Sequence, residues 1–199
     1  MSDTKGIASL VHGLCGRDSA RREIAAEEIF RQGCELARPA AEKWLGDAEL
    51  AGCLVLAESS CPEMTVGVAV QPSTFDRVRA ASGSPRLAEV PPDQDAKEFE
   101  LHFPRGVRLD ILTTQEPGGT GTIARYLQKY GEGIQQVELL VRSMDRATEI
   151  LRARFGLAPI YPAAREGADA TRVNFYLVTT PLGKKVLVEL VEAKNDSHA

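Results

Sequence analysis

A repeated order of secondary-structure elements is the feature that most constrains the fold of this chain. The order strand, helix, strand, strand, strand is predicted twice, over residues 64–113 and 134–192. Each copy closes on a strand in which one acid, Asp110 or Glu189, stands between aliphatic residues. A repeat at this scale indicates that one supersecondary unit has been used twice. The sequence therefore predicts an α+β protein in which two βαβββ modules form one cupped mixed sheet, preceded by an N-terminal helical extension.

Two strands of the first copy are predicted to form a hairpin. The segments EFELHF and VRLDILT alternate between polar and apolar residues, and only Pro-Arg-Gly separates them. This connection places Glu100 opposite Asp110 and His102 opposite Arg108. Two facing carboxylates repel each other, which commonly raises one pKa toward the range of a general acid or base. The alternatives are a slipped register, or neutralisation of the pair by Arg108 and Lys97.

The N-terminal residues 1–58 are predicted to be helical, because their apolar residues recur with a helical period. The apolar stripe runs through Ile24, Ile29, Leu36 and Trp44. The stretch resembles a single HEAT-like helical unit, which cannot bury its own apolar face and must pack on the rest of the chain or on a partner subunit. A plain helical extension that covers a sheet is the alternative. The predicted domains are the extension, a two-module domain and a tail, over residues 1–58, 59–193 and 194–199.

Composition excludes several classes of partner. The chain holds 24 basic and 28 acidic residues, for a formal net charge of -4, and its basic residues form no cluster of the kind that binds nucleic acid. No apolar run approaches the roughly 18–20 residues that span a bilayer, and no secretory signal is visible. We therefore expect a cytoplasmic protein whose four cysteines are reduced. A homodimer is expected if the helical face covers a partner subunit.

The second copy carries a resemblance to a known family. The stretch IARYLQKYGEGIQQVELLV, followed by a helix and by KKVLVELVE, resembles the methylmalonyl-CoA epimerases of the vicinal oxygen chelate superfamily. This superfamily also holds the glyoxalases and the bleomycin-resistance proteins. The resemblance covers residues 63–193 and implies the two-module fold. It also implies a site built from the first and last strands of each module.

Four site positions follow from the resemblance. It places the first-strand histidines of the two modules on Thr65 and Gln136, and the last-strand ligands on Asp110 and Glu189. Both imidazoles that the family uses to hold a metal are therefore replaced. Imidazole suits zinc, cobalt, nickel and iron, whereas oxygen ligands suit magnesium or calcium. We accordingly expect no tightly bound transition metal, and weak binding of magnesium or calcium at most.

Strand alternation, taken without the family, selects the same positions. Successive side chains of a strand point to opposite faces, so the four residues lie on the faces opposite to the aliphatic ones. The same count assigns five further candidate binding residues to this side: Glu100, His102, Arg108, Asn174 and Tyr176. We predict that these side chains meet in one cavity.

Two functions from different classes remain open at this point. The first is a small-molecule-binding, glyoxalase-like protein with a degenerate metal site. The alternative is an epimerase-like or lyase-like enzyme, of the isomerase or lyase type, that acts on an acyl-CoA or another carbonyl compound. In that enzyme Glu189, Asp110 or Glu100 would remove a proton next to the carbonyl. An oxygen-ligated cation, or donors such as Gln136 and Tyr176, would stabilise the enolate.

Overall fold

The structure is a computed structural model that describes residues 4–58, 60–180 and 183–193. The predicted tail at 194–199 lies outside the described residues. The α-helices are α1 (Thr4–Leu14), α2 (Ser19–Leu45), α3 (Ala48–Cys53), α4 (Pro72–Ala81), α5 (Thr122–Tyr130) and α6 (Met144–Phe155). The strands are β1 (Met64–Ala69), β2 (Lys97–Phe103), β3 (Val107–Thr113), β4 (Gly133–Val141), β5 (Arg165–Glu166), β6 (Arg172–Thr179) and β7 (Lys185–Glu192). The predicted α+β class is confirmed.

The described chain divides into two compact units. The first holds the chain up to Gly33 together with Thr65–Gln135, and the second holds Cys34–Met64 together with the chain from Gln136 onward. Each unit thus combines part of the N-terminal helices with one of the two modules. The predicted division into a helical extension, a two-module domain and a tail stays a prediction.

In the first unit the strands lie in the order β2-β3-β1. Strands β2 and β3 are antiparallel, with Glu100 opposite Asp110 and His102 opposite Arg108, which confirms the predicted hairpin register. Strand β1 runs parallel to β3 and places Gly67 beside Asp110. The alternate face is aliphatic or aromatic and buried, and it carries Val66, Val68, Phe99, Leu101, Leu109 and Ile111.

The first module has three strands where four were expected. The segment before β2 has a backbone hydrogen bond to this strand, from the Ala88 N–H to the Glu98 carbonyl. Pro85, Pro91 and Pro92 flank this segment, and a proline has no N–H to continue a ladder. The segment therefore lies beside β2 without forming a strand.

In the second unit the strands lie in the order β4-β7-β6-β5. Strand β4 is parallel to β7, whereas the β7–β6 and β6–β5 pairs are antiparallel. Helix α6 and the second half of α2 cover one face, where Trp44 is 1% exposed. Leu36 packs against the same cluster, as predicted.

Helix α2 contacts the first unit with its N-terminal half. Ile29 is buried there, as the predicted stripe requires, but Ile24 is 66% exposed, so its place in the stripe was wrong. Arg105, in the β2–β3 turn, pairs with Glu23 at 3.5 Å and also with Glu27 of α2. The helix is therefore joined to the hairpin by ion pairs.

The four cysteines are free thiols, as predicted. Burial raises the pKa of the Cys34 thiol to about 11, which keeps it protonated and unreactive at neutral pH. Among the described helices, none combines the length and the apolar character that a membrane span requires.

Ion pairs join α3 to α6 in the second unit. Arg146 donates to Glu49 at 2.8 Å, and Arg154 donates to Asp47 at 2.8 Å. Asp47 also accepts the Leu50 N–H at 3.0 Å and so caps α3. The bonds from Arg154 and Arg146 lower the pKa values of the Asp47 and Glu49 carboxyls, respectively.

These lowered pKa values predict how stability depends on pH. Because both carboxyls titrate lower in the folded chain than in the unfolded chain, their contribution is present above about pH 4.5 and is lost as the pH falls through the folded pKa values. We expect Glu49→Gln to reduce the slope of unfolding free energy against pH between about pH 5 and pH 3. Chemical denaturation at several pH values measures this slope. Glu42→Gln, an exposed change on α2, serves as the control, and an equal slope in both variants would contradict the prediction.

Candidate functional site

The first unit places a buried carboxylate in the middle of its polar face. Thr65 on β1 and Asp110 on β3 are both buried, and Asp110 is only 6% exposed. Asp110 lies between Gly67 of β1 and Glu100 of β2, its direct neighbours in the two ladders. Successive side chains of a strand point to opposite faces. Because Leu109 and Ile111 point into the apolar core, Asp110 between them points to the other face.

Glu100 and His102 lie at the exposed edge of this face. Glu100 Oε2 and His102 Nε2 are 2.8 Å apart, and their side chains are 52% and 63% exposed. Glu100 is thus paired with Asp110 in the strand register, as predicted. The Glu100 carboxylate contacts the His102 ring. Arg108 lies on the same face, directly opposite His102.

The second unit holds a buried amide–carboxylate pair. Gln136 Nε2 donates to Glu189 Oε2 at 2.5 Å and to Glu138 Oε1 at 3.2 Å. Glu138 and Glu189 are direct neighbours in the parallel β4–β7 ladder. A primary amide carries two N–H donors, so one glutamine can bridge two adjacent carboxylates. This bridge explains how two acids share one largely buried face.

Asn174 and Tyr176 do not share the face of Glu189, so their assignment was wrong. Tyr176 pairs in the ladder with Val188, which faces the helices, and its hydroxyl lies 2.7 Å from Thr148 Oγ1. Asn174 is fully buried on the same side. The error arose because β6 has large apolar residues on both faces, so alternation alone does not show which face is the core.

The residues that β6 does contribute to the face of Glu189 are apolar. Phe175 is the direct neighbour of Glu189, and Leu177 is the neighbour of Leu187. Leu177 is 48% exposed. Sequence reasoning missed these two side chains, and the β6–β7 register is the signal that identifies them.

The donor atoms do not fit a transition-metal site. The described residues contain no group of three or more histidine, cysteine, aspartate or glutamate side chains that could hold a metal ion. Gln136 directs its N–H at Glu189. The amide oxygen of Gln136 and the hydroxyl of Thr65 are oxygen ligands, and they do not supply the imidazole nitrogens that suit a transition metal.

Convergence of all four family positions stays a prediction. Gln136 and Glu189 meet in the second unit, whereas Thr65 and Asp110 both lie on the first. Within the first unit, β1 and β3 are direct neighbours, which places Thr65 one residue before the segment paired with Leu109 and Asp110. Each module thus carries its own pair of these positions.

The chain is similar to solved structures of methylmalonyl-CoA epimerases. It is 30% identical to the enzyme from Mycobacterium tuberculosis, with a TM-score of 0.51 over 64% of this chain and 85% of that one. It is 26% identical to a hypothetical protein from Bacillus halodurans, with a TM-score of 0.54 over 68% and 96% of the two chains. A variant of the Streptomyces coelicolor epimerase, bound to 2-nitronate-propionyl-CoA, is 21% identical, with a TM-score of 0.52 over 67% and 97%.

These likenesses support the superfamily fold that the sequence predicted. At 21% identity the Streptomyces coelicolor structure shows the fold alone. No family model matches the chain, and no curated protein matches it significantly. The HEAT-like character of the N-terminal helices stays a prediction.

Proposed function

We propose that this chain, a member of the vicinal oxygen chelate superfamily, binds a small organic ligand with a carbonyl group, of the acyl-CoA thioester class, without a tightly bound transition metal. The observation that carries the proposal is the hydrogen bond from Gln136 to Glu189. The resemblance makes both positions metal ligands, yet here the amide and the carboxylate satisfy each other. The polar face is therefore built to hold a ligand by hydrogen bonds.

The ligand class is supported by the structural neighbours. They are methylmalonyl-CoA epimerases, and one of them is bound to an acyl-CoA analogue. A thioester carbonyl is a hydrogen-bond acceptor, and it would replace Glu138 as the acceptor of the longer Gln136 hydrogen bond, which measures 3.2 Å. Phe175 and Leu177 supply apolar surface beside it for the acyl chain. Magnesium or calcium, held weakly by Asp110 or Glu189, is compatible with this function.

Binding and metal content test the proposal together. The protein is purified without chelator, its zinc, nickel, cobalt and iron are measured by mass spectrometry, and propionyl-CoA, methylmalonyl-CoA and free CoA are titrated by calorimetry. We expect saturable binding of a thioester and no stoichiometric transition metal. A stoichiometric transition metal whose removal abolishes binding would overturn the metal-free part. Failure of every thioester to bind would overturn the ligand class.

A second function is favoured by the burial of two carboxylates. Glu189 and Asp110 are 7% and 6% exposed, and a buried carboxylate beside the carbon next to a carbonyl can act as a general base. Gln136 would then donate to the enolate oxygen. Tyr176 is excluded from this role because it lies on the other face. The alternative activity is therefore epimerisation or elimination on an acyl-CoA.

Glu189→Gln distinguishes the two functions. For the binding protein we expect no deuterium uptake at C2 of methylmalonyl-CoA in D2O, and a roughly tenfold change in affinity, the scale of one hydrogen bond to a charged group. For the enzyme, the wild type would exchange this proton and the variant would not. Nuclear magnetic resonance follows the exchange, and calorimetry follows the affinity. Glu149→Gln, an equal charge change on α6, is the control.

A further inference from the structure

We propose that Arg165, stacked on Tyr161, is the anchor for the anionic group of the ligand. The proposal rests on the proposed function and assigns the end of the site that recognises charge. The group that Arg165 would bind is a phosphate or a carboxylate of an acyl thioester. All the contacts of Arg165 and Tyr161 described below lie within the second unit.

The register places Arg165 on the same face as Glu189. Arg165 on β5 pairs with Val173 on β6, and Val173 pairs with Val191 on β7. Val191 lies two residues after Glu189, and residues two apart on a strand share a face. Phe175 lies between, as the direct neighbour of Glu189. One face thus runs from a buried carboxylate, across an aromatic ring, to an arginine.

The arginine is held by aromatic contacts. The Arg165 guanidinium carbon lies 4.8 Å from the centre of the Tyr161 ring. The Tyr161 ring in turn meets the Phe175 ring edge to face, with the centres 6.0 Å apart. A guanidinium stacked on a ring keeps its planar fork of N–H donors at its edge, where a carboxylate or phosphate can accept two of them.

Asn174 fixes the segment that carries this stack. Its amide Nδ2 donates to the Tyr161 carbonyl at 3.1 Å, and its Oδ1 accepts the Tyr161 N–H at 3.3 Å. The Ile160 N–H also donates to the Phe175 carbonyl at 2.8 Å. Asn174, fully buried on the opposite face, is therefore a positioning residue for Tyr161. The ring is held before any ligand arrives, which lowers the entropy cost of binding.

Charge on this face explains why an anchor is needed. Glu138 and Glu189 lie together on it, and the whole chain has a formal net charge of -4, so an anionic ligand is repelled. Strands β7 and β5 are two strand spacings apart, about 10 Å. A ligand whose carbonyl contacts Gln136 must therefore extend past Phe175 before its charge reaches Arg165. An acyl thioester with a distant anionic group has this shape.

Arg165→Gln tests the assignment with three ligands. These are propionyl-CoA, the uncharged propionyl-N-acetylcysteamine, and methylmalonyl-N-acetylcysteamine, which keeps a carboxylate but no phosphate. We expect the variant to bind propionyl-CoA about tenfold more weakly, the loss of one charge-assisted contact, and to bind the uncharged thioester as the wild type does. Arg152→Gln, the same charge change on an exposed part of α6, should leave all three affinities unchanged. Melting curves check that both variants are folded.

The two charged ligands identify which anionic group Arg165 binds. A loss with the carboxylated N-acetylcysteamine thioester assigns the carboxylate, and a loss with propionyl-CoA alone assigns a phosphate; either result supports the anchor. Tyr161→Ala should reproduce part of the loss. If the wild type binds thioesters and Arg165→Gln binds every one equally well, the anchor is overturned while the proposed function stands. If the wild type binds none of them, the proposed function and the anchor fail together.

Discussion

Replacing Trp44 with alanine should lower the free energy of unfolding by about 3–5 kcal/mol, the range for removing a large aromatic side chain from a core. Trp44 is on the second half of α2 and is 1% exposed. It belongs to the same buried cluster as Val137 and Val188 of the second module. The surrounding strands and helices cannot close such a large cavity, so the loss should be near the full cost of the side chain.

Urea denaturation followed by circular dichroism measures this loss. Ile24→Ala is the matched control, because Ile24 is on the same helix and was predicted to belong to the same stripe, yet it is exposed. We expect the control to change the unfolding free energy by no more than about 0.5 kcal/mol. A Trp44→Ala variant as stable as the control would mean that α2 is an appendage rather than part of the core.

The contrast between these two residues shows what sequence periodicity could predict about α2. A helical period identified Ile29 and Trp44 correctly as buried, because each recurs with its neighbours on one side of the helix. It failed at Ile24, which precedes Ile29 by five residues and so lies about 140° away around the helix. Ala25 and Ala26 beside it are buried, so the packing surface reaches this part of α2 and Ile24 lies on another side of the helix.

The two hairpins show a similar difference. The β2–β3 register was predictable, because three residues join the strands and leave little freedom in pairing. The β6–β7 connection is longer, and Val173, Phe175 and Leu177 form a more apolar face of β6 than the opposite one, which carries Asn174. Alternation then assigned Asn174 and Tyr176 to the wrong side. With large apolar residues on both faces, only the ladder contacts decide which one meets the helices.

Some candidate site residues were predictable from the sequence and others were not. Asp110 and Glu189 were predictable as inward-facing acids, since each interrupts an aliphatic strand at a position fixed by alternation. The Tyr161–Arg165 stack was not, because β5 is only two residues long and shows no period. Its geometry depends on two hydrogen bonds between the Asn174 side chain and the Tyr161 backbone, one donated and one accepted by Asn174.

Gly33→Ala should destabilise the protein by about 1–3 kcal/mol, the usual cost of forcing one extra methyl group into a packed core. A Cβ at Gly33 would lie 2.5 and 2.6 Å from the two methyl groups of Val66. Val66 is fully buried in β1, and a β-branched side chain has little rotamer freedom with which to move away. The clash should therefore outweigh the gain of about 1 kcal/mol that alanine normally gives over glycine inside a helix.

Gly52→Ala is the matched control for this change, because Gly52 is also helical and a Cβ there meets nothing within 4 Å. We expect the control to stabilise by up to about 1 kcal/mol, so the two alanine variants should differ in sign. Combining Gly33→Ala with Val66→Ala should recover part of the loss, since the second change removes the clashing methyl groups. Urea unfolding of the wild type, of Gly33→Ala and Val66→Ala singly, and of the double variant completes the cycle. If Gly33→Ala stabilised the protein as Gly52→Ala does, the middle of α2 would not lie in close contact with Val66 of β1.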